Sequence, residues 1–162
     1  VSAPDLPSGQ LLPLVRRLSA RPDPLALFGA LTEMGTRPDT LLLESADAAT
    51  GEGERSLLIS RAAVRVTCRG PEVRVTPLTP NGRALTDWLA AASPDAQRDG
   101  TELVLVYPLP AGRDVPDATR IRGGSPLDAL RRLAFGPTLA ARPTTLSHLV
   151  AGVFAYDLID LF

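Results

Sequence analysis

Lysine is absent from this 162-residue sequence, in which all 17 basic residues are arginine. Arginine-rich coding accounts for the bias, but its consequence is chemical. The chain holds no amine for a Schiff base and no lysine for a phosphate-binding loop. Cysteine occurs once, as Cys68, which excludes an internal disulfide and points to a cytoplasmic setting. No apolar run approaches the ~20 residues of a membrane span. The opening VSAPDLPSGQLLPLVRRL lacks the basic-then-apolar order of a signal peptide. A net charge of -1 leaves no excess of positive charge to attract nucleic acid or an anionic membrane.

The motifs of common catalytic sites are missing too. The one histidine, His148, has no cysteine or carboxylate at ligand spacing, so it reads as a satisfied histidine rather than a metal ligand. TGEGE is followed by no phosphate-loop lysine, and neither G-x-G-x-x-G nor G-x-S-x-G occurs. Residue by residue, no catalytic constellation is present and no metal site is expected.

What is there is an ordinary globular composition, 44% apolar and 22% charged, at a length that supports one domain with a core. Residues 1–22 carry Pro4, Pro7, Pro13 and Pro22 and read as an extended segment; residues 23–162 read as the domain itself. RPDPLALFGALTEMG carries helix punctuation, with Asp23 as N-cap, Pro24 at the first position and Gly35 past the end. Leu25, Phe28, Leu31 and Met34 would share its core face. TLLLES (40–45) and SLLIS (56–60) read as strands on either side of a polar, glycine-containing loop, 47–55.

The clearest pattern spans 62–78. Val64, Val66 and Cys68 alternate with Arg65, Thr67 and Arg69; beyond Gly70-Pro71, Val73 and Val75 alternate with Glu72, Arg74 and Thr76. That is a hairpin with an apolar face, which would include Cys68, and a solvated charged face. A helix over 82–92, capped by Asn81, would turn Leu85, Trp88 and Leu89 inward. Strands are expected over 101–107 and 152–157, and a helix over 126–135 starting at Ser125-Pro126. This order predicts an α+β fold with one largely antiparallel sheet and flanking helices.

LLLESAD (41–47) poses the functional question, because three leucines deliver a carboxylate and a hydroxyl side by side at a strand end. The stretch RPDTLLLESADAATGEGERSLLIS, preceded by DPLALFGAL, resembles the N-terminal region of the large subunit (component I) of anthranilate synthase, proteobacterial type. GVFAYDLIDLF at the end resembles the same family's F-x-Y-D-L segment. The resemblance implies that this region, from about residue 23, is the N-terminal part of that fold and belongs to a tryptophan-sensing site. It implies roles for Glu44 toward the effector's ammonium, Ser45 as a hydrogen-bonding partner and Arg55 toward its carboxylate. Arg55 stands where lysine is expected in enteric relatives, which keeps the charge and changes the geometry.

The resemblance further implies a parent enzyme that converts chorismate and ammonia to anthranilate and pyruvate. The ammonia would come from a glutamine amidotransferase subunit, with magnesium bound in a C-terminal catalytic domain. The sequence stops at Phe162 inside the second motif, so a fragment without its own catalysis is expected. Two alternatives stand beside this. One is the matching region of an aminodeoxychorismate, isochorismate or phenazine-type synthase, and the other is a stand-alone small-molecule binding module.

Overall fold

Caps and alternation translate into eleven elements among the described residues. The structure, a computed structural model, describes residues 7–16, 18–19, 22–44, 56–108, 124–140 and 148–155. The first half runs β1 (Gln10–Leu11), α1 (Pro24–Thr32), β2 (Leu41–Glu44), β3 (Ser56–Ile59), β4 (Val64–Arg69) and β5 (Glu72–Pro77). Then come α2 (Pro80–Ala91), β6 (Gln97–Asp99), β7 (Glu102–Val106), α3 (Pro126–Phe135) and β8 (Thr138–Leu139). The class is α+β, as expected.

One sheet was expected, and the described strands form three. β4-β5-β7-β6 is a four-stranded antiparallel sheet, β2 and β3 pair antiparallel, and β1 pairs parallel with β8. By contact, Val1–Leu14 and Ala63–Phe162 form one compact unit and Val15–Ala62 another.

In the first unit, Val73 and Val75 of β5 and Leu103 and Leu105 of β7 share one sheet face, as strand alternation requires. Leu85 and Leu89 of α2 and Ala129 and Leu133 of α3 close over it. Each such leucine or valine, fully buried, contributes about 1.5–3 kcal/mol. Trp88 packs at the rim of this core. The helix caps are local. The Thr79 hydroxyl accepts from Gly82 N–H at 3.0 Å, with Pro80 at the first helical position. Asn81, expected as the cap, lies inside α2. The Thr-Pro pair sets the start, because proline's fixed φ suits the first turn and threonine's oxygen takes an otherwise orphan N–H.

Cys68 also departs from expectation. It is exposed near the end of edge strand β4 rather than set in the core. Partial burial of the sulfur pushes its thiol pKa up, so it carries no activated thiolate. The strand expected over 152–157 is not formed by residues 152–155, and residues 156–157 lie outside the described residues. An apolar run becomes a strand only where a neighbour takes its backbone groups, and no described strand pairs with it.

In the second unit, Asp23 caps α1, its carboxylate accepting from Ala26 N–H at 2.7 Å. The helix ends two residues earlier than expected, because Glu33, Met34 and Gly35 all take positive φ. Its buried residues are Gly29 and Thr32, whereas Leu25, Leu31 and Met34 are exposed and Phe28 is half-buried. Thr32 can be buried because its hydroxyl is satisfied, donating to Phe28 O at 2.6 Å and accepting from Gly35 N–H at 3.0 Å.

Candidate functional site

Of the three residues expected at an effector site, the structure describes one. Glu44 is the last residue of β2 and is exposed. Ser45 and Arg55 lie outside the described residues. The β2–β3 ladder pairs Leu41 with Ile59, Leu42 with Leu58, Leu43 with Leu57 and Glu44 with Ser56. Directly opposed residues share a face of an antiparallel pair, and so do residues two apart. Glu44, Ser56, Leu42 and Leu58 therefore lie on one side of the hairpin, with the acid and the hydroxyl at the end where residues 45–55 connect the two strands. In sequence, Ser45 follows Glu44 and Arg55 precedes Ser56.

Chemically, this side offers a carboxylate acceptor, a hydroxyl and two aliphatic side chains. A free amino acid with an apolar side chain presents the matching set: an ammonium, hydrogen-bonding oxygens and hydrocarbon. Ser56 was not singled out from the sequence. The signal that could have found it is the equal length of the two apolar runs, which fixes a register once the hairpin is assumed.

A second polar cluster lies on the outer face of the four-stranded sheet. Arg74 pairs with Glu72 at 2.6 Å, Asp99 at 2.9 Å and Glu102 at 3.2 Å. The Thr76 hydroxyl donates to Glu102 at 2.6 Å. These hydrogen bonds, that from Thr76 first and that from Arg74 second, hold the Glu102 carboxyl below the usual carboxylate range. The face expected to be simply solvated is, at Arg74, an ordered ion-pair network. Because Arg74 is engaged by all three carboxylates across β5, β6 and β7, it reads as a structural feature of the sheet rather than a ligand site.

His148 engages the backbone, its Nε2 donating to the Leu133 carbonyl at 2.6 Å. Among the described residues, no three His, Cys, Asp or Glu side chains group as metal ligands, and no helix is long and apolar enough to cross a membrane.

No protein-family model matches the chain. Comparison with curated proteins nevertheless defines its class: it is similar to the opening region of a much longer bacterial synthase component. That region is the N-terminal part of anthranilate synthase component 1, as the LLLESAD motif implied. The Serratia marcescens protein is 40% identical over 161 residues, covering 94% of this chain and 29% of that protein. The Vibrio parahaemolyticus protein is 34% identical over 157 residues, 95% of this chain and 28% of its own length. The Escherichia coli protein is 34% identical over 145 residues, 88% of this chain and 27% of its own length. The chain thus spans less than a third of the length of these relatives.

Proposed function

We propose that this chain is the N-terminal, tryptophan-sensing region of an anthranilate synthase component I. The full-length enzyme would convert chorismate and ammonia to anthranilate and pyruvate in tryptophan biosynthesis, in the cytoplasm. A glutamine amidotransferase subunit would supply the ammonia, and a C-terminal catalytic domain would hold chorismate and magnesium. The observation that supports this reading is the similarity to the N-terminal part of component 1 over 94% of the chain. The β2–β3 hairpin, with Glu44 opposite Ser56 at the end nearest the connecting segment, adds a fitting surface.

In this reading Glu44 pairs with the tryptophan ammonium, Arg55 with its carboxylate, and Ser45 completes the hydrogen bonding. The leucines of the hairpin give the indole an apolar neighbour. Inhibitor binding then favours one of two arrangements of the whole enzyme, by as much as its affinities for the two differ. The chain alone makes no anthranilate from chorismate, magnesium and ammonia, because it supplies no acid–base pair for the reaction.

The test is a tryptophan inhibition curve on the full-length enzyme. Glu44→Gln weakens inhibition by about 1.5–3 kcal/mol, the worth of a hydrogen bond to a charged group. Ser45→Phe relieves inhibition by filling the site, while turnover without tryptophan stays near normal. An unchanged response in both variants would show that the strand end is ordinary surface.

A further inference from the structure

The unit that carries the β2–β3 hairpin is joined to the rest of the chain at two crossings, Leu14–Val15 and Ala62–Ala63. The residues that flank both crossings rest on the same helix. On the N-terminal side, β1 is held to β8 by Thr138 N–H donating to Gly9 O at 2.9 Å and Ala140 N–H donating to Leu11 O at 2.8 Å. Gly9, at φ +80°, lies so close to the Trp88 indole that a Cβ there would fall 2.4 Å from Nε1. Gly136, which caps α3 just before β8, approaches the same ring, a Cβ there falling 2.5 Å from Cη2. On the C-terminal side, Ala63 O accepts from Leu78 N–H at 2.9 Å. The same carbonyl packs on Gly82, where a Cβ would fall 1.8 Å from it. Only glycine permits either approach. Gly82 and Trp88 are six residues apart, so the two contacts are about 9 Å apart along the axis of α2.

A segment held at both ends has fewer conformations than one held at a single end, and releasing one end returns that entropy. The hairpin unit is sensitive to this, because a region with few buried apolar contacts sits at the low end of local stability. We infer that α2 is the common anchor of both tethers. Lifting β1 from Trp88 loosens β2 and β3 while leaving the four-stranded sheet intact. This goes beyond the effector reading and does not depend on any ligand.

Trp88 is the only tryptophan in the chain, so its fluorescence reports whether β1 is docked. The experiment uses the 162-residue chain with Gly9→Ala, and separately Thr138→Pro, which removes the N–H that holds Gly9 without touching the indole. The expected result in both is a red-shifted emission together with amide exchange at 41–44 and 56–59 faster by roughly tenfold. Exchange at Val73, Val75, Leu103 and Leu105 stays unchanged. A red shift with unchanged exchange in β2 and β3 would overturn the coupling. An unshifted emission in both variants would overturn the docking of β1 on Trp88. Loss of protection throughout the chain in both would show that β1 belongs to the core and is no tether.

Discussion

The two units of this chain spend their leucines differently. In the first, Leu89, Leu103 and Leu133 are almost wholly buried, between two helices and a four-stranded sheet. In the second, Leu25 is 64% exposed, Met34 84% and Leu43 50%, and the buried residues of α1 are a glycine and a threonine. A helix apolar on all sides is normally covered on all sides. The contrast therefore lies in the core. The first unit, the scaffold, buries leucines between helices and sheet, although Phe135 and Val153 are exposed there too. The helix of the second buries only small residues, and the hairpin end bearing Glu44 belongs to that second unit.

The largest expected effect tests that contrast directly. Leu89→Ala removes a fully buried side chain and costs about 2–5 kcal/mol, read from urea unfolding. Leu25→Ala in α1 changes stability by less than about 0.5 kcal/mol, as exposed substitutions do. Comparable losses in the two variants would mean that α1 is covered in solution, and the contrast would vanish.

The scaffold was legible in the sequence for the same reason that it is stable. Val73 and Val75 alternate with polar neighbours, and one face of that alternation is covered, so pattern and burial agree. In α1 every face is apolar, so the pattern could not say which side would be buried, and the small residues Gly29 and Thr32 took it. Two-residue strands such as β1 and β8 hold too few positions to show any period. The Arg74 network was hidden because its partners Asp99 and Glu102 are brought alongside only by the pairing of β5, β7 and β6. At the candidate site, the strand-end position of Glu44 followed from LLLES. The face it shares with Ser56 needed the register of the hairpin.

Helix caps sharpen the comparison at smaller cost, since the same chemistry occurs in both units. Thr79→Ala removes the oxygen that accepts from Gly82 N–H and costs about 1 kcal/mol of global stability. Asp23→Ala removes the equivalent bond to Ala26 N–H, but its effect stays local. It speeds amide exchange in α1 and leaves the midpoint of global unfolding in place. A fall in that midpoint equal to that of Thr79→Ala would show that the two units unfold as one.

Acid provides a weaker probe of the scaffold. Glu102 has a folded pKa held below its unfolded value by Thr76 and then Arg74. Its contribution is full at neutral pH and fades as pH falls from the ordinary glutamate value of about 4.3 through the folded one. The unfolding midpoint therefore drops further on acidification in the parent chain than in Glu102→Gln. Identical acid slopes would remove this carboxylate from the account.

The smallest effect is expected at Tyr107, just past the end of β7. Its hydroxyl is buried with no hydrogen-bond partner among the described residues. Burial is the main cause that pushes its phenol pKa up, opposed by Arg132 and reinforced by Asp128. A buried polar atom without a partner has lost its water and gained nothing, so deleting it relieves a cost. Tyr107→Phe should leave stability unchanged or raise it by up to about 1 kcal/mol, measured by urea unfolding at neutral pH. The sign of the pH dependence follows from the raised pKa. Below the ordinary tyrosine value of about 10 the ionisation of Tyr107 takes nothing from stability, and stability is lost as pH rises from there through the folded value. The parent chain should therefore weaken more steeply in alkali than Tyr107→Phe. A loss of more than about 1 kcal/mol at neutral pH would instead show that the hydroxyl is hydrogen-bonded in solution, and the scaffold's polar accounting would close at this position.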